Sequence, residues 1–179
     1  MIILGVDPGT TIMGYSLIKV ENKNIRLIEM GVEKMSKLPD HNAKLKRIFA
    51  RTIELIDQFL PEVLAIESPF FGKNPQSMLK LGRAQGVVIA ASLSKNLEVF
   101  EYSPRKIKQS ITGKGAASKE QVSAMLKNMH LFVDDPKYFD ATDALAVAVC
   151  HHLQNKISIG GTKYTGWESF ISQNTSRIK

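Results

Sequence analysis

The chain has 179 residues, 44% of them hydrophobic, with one cysteine, a net charge of +7 and a pI near 9.5. That is enough apolar material for one well-packed domain and too little cysteine for a disulfide scaffold. No run approaches the roughly 18 to 20 apolar residues of a membrane span, and no basic stretch precedes a signal-type apolar core, so a reducing, cytoplasmic setting is expected.

Ile2 to Asp7 reads as a buried strand closed by an acid, Pro8-Gly9-Thr10-Thr11 as a turn, and Ile12 to Val20 as the strand that returns from it. Ile25 to Val32 completes an antiparallel meander. From Asn42 to Leu60 the residues Leu45, Ile48, Phe49, Ile53, Ile56 and Leu60 recur at helical spacing until Pro61 ends the pattern. A fourth strand, Val63 to Glu67, again closes on an acid. Past a loop from Ser68 to Pro75, the residues Met78, Leu81, Ala84, Val88 and Ala91 mark the apolar face of a long helix, and Leu97 to Tyr102 is a fifth strand. Ser103 as N-cap and Pro104 at the first helical position start a short helix through Ser110. Thr112 to Ala117 is small and flexible, and Ser118 with Gln121 has capping-box spacing for the next helix. The last strong helix runs from about Asp140 to Leu153. Residues 1 to 155 form the expected domain; 156 to 179, with Trp167, Phe170 and Ile171 as isolated anchors, form a tail expected to be mobile or locally docked. Three meandering strands followed by α-β-α-β and further helices make a mixed-sheet α/β pattern.

Four acids stand out within this frame: Asp7, Glu67, Asp140 and Asp143. Two strands that each end in an acid deliver both to one sheet edge, and an i,i+3 pair presents two more on one helix face. Each acid also has an ordinary explanation. Asp7 suits a polar turn, or the phosphate-binding Asp-x-Gly-Thr turn of the actin and sugar-kinase superfamily, whose two domains this chain is too short to hold. Glu67 would emerge into solvent at a strand end, while Asp140 and Asp143 would serve a helix N-terminus. Asp134 and Asp135 precede Pro136 and read as solvated loop. Taken together, the four form a cluster that is unfavourable unless a cation fills it, and oxygen-only ligands suit Mg²⁺ or Mn²⁺. Two such ions flanking a phosphodiester activate water and stabilise the departing oxygen.

The positive charge is concentrated. Residues 73 to 128 hold ten Lys or Arg against three Glu, and the rest of the chain is balanced, which points to a polyanionic partner. Lys108 and Lys119 flank the Gly-Ala-rich connection, where ammonium groups would neutralise phosphates; a solvated helix face is the alternative. Phe70 and Phe71 are adjacent in a loop, so one is expected in the core and one, Phe70, outside and available for stacking on an unpaired base. Gly82 and Gly86 would let another backbone approach their helix. His151 and His152 are expected to satisfy a helix C-terminus, and Cys150 to be a small core residue.

The strings Gly5-Val6-Asp7-Pro8-Gly9-Thr10, Ala65-Ile66-Glu67 with Phe70 and Lys73-Asn74, Ser77 with Leu79-Lys80-Leu81-Gly82, Phe100-Glu101-Tyr102, Lys108-Gln109, Lys119, and Asp140-Ala141-Thr142-Asp143-Ala144-Leu145-Ala146 closely resemble the RuvC family of bacterial Holliday-junction resolvases, from residue 2 to about 152. The resemblance implies a ribonuclease-H-like fold, a mixed five-stranded sheet flanked by helices on both faces. It further implies a homodimer, metal-dependent cleavage of four-way DNA, and partnership with the branch-migration proteins RuvA and RuvB. By position, Asp7, Glu67, Asp140 and Asp143 match the family's catalytic acids, Lys108 and Lys119 its basic residues near the scissile strand, and Phe70 its aromatic residue at the junction. Lys73, Lys80, Arg83, Arg105, Lys106 and Lys114 are assigned with them to DNA contact. The rival readings are a ribonuclease-H-like nuclease of the YqgF type, acting in RNA processing, and a non-catalytic junction-binding protein.

Overall fold

The structure is a computed structural model and describes residues 1–22, 24–69, 74–132 and 138–160. Strands β1 (Ile2–Asp7), β2 (Ile12–Glu21) and β3 (Asn24–Lys34) form the meander. Helix α1 (His41–Phe59) leads to β4 (Val63–Glu67), and α2 (Pro75–Ser94) leads to β5 (Glu98–Tyr102). Then come α3 (Pro104–Thr112), α4 (Lys119–Asn128) and α5 (Phe139–Gly160). The five strands lie in the order β3-β2-β1-β4-β5. Short turns suffice for the antiparallel pairs, whereas β4 and β5 lie parallel to β1 and each arrives through a crossover helix.

Side-chain alternation sorts the strands between two cores. Leu4, Val6, Leu17, Leu64 and Ile66 face α1 and α2, while Ile3, Ile18 and Ala65 face α3, α4 and α5. The same alternation, from Ile3 through Gly5 to Asp7 and from Ala65 to Glu67, puts both acids on the α5 side. The register Val6 opposite Ile66 makes these two acids neighbours at the carboxyl ends of adjacent parallel strands.

Helix α5 lies unusually close to the sheet because small residues receive it. A Cβ on Gly14 would stand 1.9 Å from the Asp140 carbonyl oxygen, and one on Gly5 would stand 2.4 Å from that of Ala144. Ser16 Oγ donates to the same Ala144 carbonyl at 3.0 Å. Lys34, at the end of β3, sits 4.1 Å from the Tyr138 ring centroid just ahead of the helix. From Ala144 to Cys150 every residue is buried, Cys150 as expected.

Several expectations are corrected. The core face of α1 centres on Ile48, Thr52, Leu55 and Ile56; Phe49 and Leu60 are 45% and 74% exposed, Leu60 as a left-handed cap at φ 50°. On α2, Val88 packs into the core with Ala84 and Ala91. Leu79 and Leu93, 64% and 56% exposed, share the outer face with Gly82 and Gly86, where an added Cβ would meet nothing within 4 Å. Helix α5 continues to Gly160, since Gln154, Asn155 and Lys156 are tolerated in a helix and Ile157 follows Leu153 at helical spacing. His151 and His152 are therefore interior to it and buried rather than terminal: Tyr102 Oη and Asn155 Nδ2 lie 2.8 and 2.9 Å from the His151 ring nitrogens. Burial, then His152, pushes the His151 pKa down to about 4, so the ring is a neutral packing group. Phe70, Phe71, Lys73, Asp134, Asp135, Pro136 and the anchors Trp167, Phe170 and Ile171 lie outside the described residues.

Gly14→Ala places a methyl group against the backbone of Asp140 and should cost about 1 to 3 kcal/mol through overpacking. A thermal-melting comparison with Ser16→Ala, which loses one hydrogen bond worth about 1 kcal/mol and adds no clash, checks it.

Candidate active site

Asp7 and Glu67 end β1 and β4, and α5 brings Asp143 down onto them. A cavity of about 230 Å³ at this edge is lined by Asp7, Glu67, Asp143, Lys108 and Lys119, with Pro104, Ile107, Val122 and Ala146 as its apolar wall. Asp140 lies one helical turn earlier on α5, outside that lining, yet its charge reaches both Asp7 and Lys119. Lys119 opens α4, whose start is fixed by the expected capping box: Gln121 N–H donates to Ser118 Oγ at 3.3 Å and Ser118 N–H to Gln121 Oε1 at 2.9 Å. From there the Lys119 ammonium forms a hydrogen-bonded ion pair with Asp143 Oδ2.

The site holds more negative charge than it can comfortably ionise. Burial, then the charges of Glu67 and Asp143, holds the Asp7 carboxyl well above the usual carboxylate range, against the opposing pull of Lys119. Glu67 is pushed up to about 7 by burial and by Asp143, again relieved in part by Lys119 and Lys108. For Lys119 partial burial works against the charge, but the Asp143 hydrogen bond and the acids around it win and raise its pKa. One lysine thus serves as counter-charge to a cluster that calls for more.

The family model of the crossover junction endodeoxyribonuclease RuvC matches residues 3–151. The RuvC of Christiangramia forsetii is 57% identical over 178 residues, covering 99% of this chain and 93% of that protein. The RuvC of Bacteroides fragilis is 52% identical over 180 residues, 99% of this chain and 96% of that one. Among solved structures, Thermus thermophilus RuvC in complex with a Holliday junction substrate superposes with a TM-score of 0.82 at 31% identity, over 88% of this chain and 96% of that chain. The chain belongs to the RuvC family. Its mixed five-stranded sheet, covered by helices on both faces, is the ribonuclease-H-like fold of that family, which comprises metal-dependent nucleases.

The RuvC site fits a hard divalent cation by donor chemistry, since it offers carboxylate oxygens and no sulfur or imidazole, and Asp7 and Glu67 resist ionising without further positive charge. Among the described residues no three acid, His or Cys side chains stand as a ready ligand set, and Asp143 is paired with Lys119.

Of the expected basic residues, Lys108 and Lys119 line this cavity. Arg105, Lys108 and Lys114 line a second cleft beside it, and Lys106 is exposed on α3. Lys80 and Arg83 are exposed on α2 and border neither cavity. The sequence reading missed Gly14 and Ser16, which seat the turns bearing the acids. Small residues at alternate positions of β2, on the face opposite Met13, Tyr15 and Leu17, were the available signal.

The electrostatics set a pH dependence. Acids whose folded pKa is raised add stability that is present below about 4.5 and lost as pH rises through about 7; for Glu67 alone the loss is on the order of 3 kcal/mol. Relative to Glu67→Gln, the metal-free wild type should therefore lose stability from pH 5 to pH 8, while the depressed His151 adds stability to both as pH rises from about 4 to 6.5. Millimolar Mg²⁺ should raise the midpoint more at pH 8 than at pH 5, and Glu67→Gln should flatten this effect. A difference in midpoint between wild type and Glu67→Gln that does not change with pH would contradict the assigned charge crowding.

Proposed function

We propose that this chain is a crossover-junction endonuclease that cuts two strands of like polarity at a four-way DNA junction in recombination and repair. The observation that carries this reading is the convergence of Asp7, Glu67, Asp143 and two lysines on one cavity at the open sheet edge. It is supported by relatives named crossover junction endodeoxyribonuclease and by the similar Thermus protein bound to a Holliday junction.

In this mechanism Asp7, Glu67, Asp140 and Asp143 hold the divalent ions, Mg²⁺ or in its place Mn²⁺, two per site. The chemistry those ions supply is activation of the attacking water and stabilisation of the leaving 3′-oxygen, giving 5′-phosphate and 3′-hydroxyl ends. Glu67, with its pKa pushed up to about 7, is only partly ionised near neutral pH, and added positive charge would favour its carboxylate. Lys119, released from Asp143, turns its ammonium toward the phosphate, and Lys108 approaches from α3 on the same cavity wall. Ile107, Val122 and Ala146 shield this charge from bulk water, which strengthens each of these interactions. Lys80, Arg83, Arg105, Lys106 and Lys114 contribute phosphate contacts, with Phe70 and Lys73 assigned to the junction on the resemblance alone.

A four-way junction is close to two-fold symmetric, so paired cuts call for an isologous homodimer with one site per subunit. The outer face of α2, where Leu79, Gly82, Gly86 and Leu93 are exposed, supports a seam there. The cytoplasm and the company of RuvA and RuvB follow from the family. Among the described residues no helix is long and apolar enough to cross a membrane.

Incubation with a labelled four-way junction, linear duplex and RNA hairpin, with and without Mg²⁺, tests the reading. Paired cuts in the junction alone, only with metal, are the expected result; cleavage of the hairpin would favour an RNA-processing nuclease, and binding without cleavage a non-catalytic protein. Asp7→Asn should abolish cleavage and leave junction binding intact or tighter, because it removes a ligand oxygen and a negative charge at nearly constant volume. A mixed dimer with one Asp7→Asn subunit should nick one strand per binding event, which denaturing and native gels of the same reaction distinguish from resolution.

A further inference from the structure

Beside the carboxylates opens a second cleft, of about 740 Å³, lined by Pro104, Arg105, Lys108, Lys114, Gly115 and Ala116. It shares Pro104 and Lys108 with the first cavity, so a strand leaving the scissile position has a continuous path into it. Both walls are fixed. One is the start of α3, where Lys106 N–H donates to Ser103 Oγ at 3.3 Å. The other is the connection expected to be flexible, and it is a pinned turn. Gly113 caps α3 at φ 75° with its N–H on Gln109 O, Lys114 N–H donates to Thr112 Oγ1 at 3.1 Å, and Ala117 N–H donates to Lys114 O at 3.2 Å.

The walls meet at Gly115. A Cβ there would lie 2.7 Å from Arg105 Cγ, 3.2 Å from Nε and 3.3 Å from the Arg105 carbonyl oxygen, so the arginine stem rests on bare backbone. Among the described residues none of Arg105, Lys108 and Lys114 forms an ion pair with an acid, unlike Lys19, Arg47, Arg51, Lys95 and Lys119. Lys108 faces Glu67 across the first cavity, whereas among the described residues Arg105 and Lys114 have no acid paired with them; the ligand chemistry that answers three cations along one preformed cleft is a run of phosphodiesters, and the guanidinium can also engage a phosphate through two parallel N–H donors.

We propose that this cleft is a backbone subsite for the cut strand, holding the phosphates that flank the scissile one, and that Gly115 is the positioning residue that seats Arg105 in it. The proposal rests on the nuclease reading above and deepens it, since it says which cations set the register of the strand over the carboxylates.

The test is junction binding without divalent metal, titrated against salt, with single methylphosphonate substitutions placed one to three nucleotides to either side of the cut. Arg105→Ala and Lys114→Ala should each reduce the magnitude of the salt slope by about 0.7 to 0.9, the share of one phosphate contact. At one methylphosphonate position the wild type should lose affinity while Arg105→Ala, already lacking that contact, loses none. Gly115→Ala should weaken binding in the wild-type background and have a much smaller effect on top of Arg105→Ala, where only the contact with the residue 105 carbonyl remains, an outcome that general loosening of the turn would not give. Wild-type slopes in both single variants, or equal sensitivity of wild type and Arg105→Ala at every position, overturn the subsite. A Gly115→Ala effect of equal size in both backgrounds overturns the positioning role. Preference of the wild type for junction over linear duplex is read in the same titrations, so a failure of the nuclease reading is visible separately from a failure of the cleft.

Discussion

The active edge depends on how closely α5 approaches the sheet. Backbone meets backbone at Gly5 and Gly14, with Ser16 hydrogen-bonded to the Ala144 carbonyl, and this contact brings Asp143 into one cavity with Asp7 and Glu67. Larger residues at those positions would hold the helix away, and the carboxylates would become ordinary exposed acids. The short distance also makes the acids costly. Desolvation and mutual repulsion are the causes that raise Asp7 and Glu67, and both follow from the same close packing.

Lys119 resolves that cost internally. Its ion pair with Asp143 partly neutralises the crowded acids. In the proposed mechanism the same pair would compete with metal for an Asp143 oxygen, and its displacement would free the ammonium for a phosphate. The Ser118–Gln121 capping box holds this lysine at the first turn of α4.

What was legible in the sequence is what short-range rules encode. Apolar runs that stop at an acid gave β1 and β4 with their carboxylates, and Ser103, Pro104, Ser118 and Gln121 marked two helix starts that the structure contains. Less legible was what depends on neighbours distant in the chain. The outward face of α2 is hidden because Gly and Ala occur on both its sides, so the exposed Leu79 and Leu93 were not singled out. The end of α5 is marked in the sequence only by Ile157 and Ile159 among polar and small residues. The turn after α3 has the small residues of a flexible linker, and only the Thr112 hydroxyl and the Arg105 stem, both set by tertiary placement, make it rigid.

These limits share a cause that also bears on how the site is divided between elements. The acids are held by the most deeply packed parts of the molecule, β1, β4 and α5, where alternation and burial leave little freedom. The cations come from α3, α4 and the turn between them, which pack on α5 from outside the sheet through residues such as Ile107, Ile111, Val122 and Leu126. A substitution in that outer layer can therefore shift the lysines and Arg105 relative to fixed carboxylates without disturbing the sheet. Strand placement can vary on this layer while the chemistry at the carboxylates stays fixed, because geometry in the first is set by a few side-chain contacts and in the second by backbone docking.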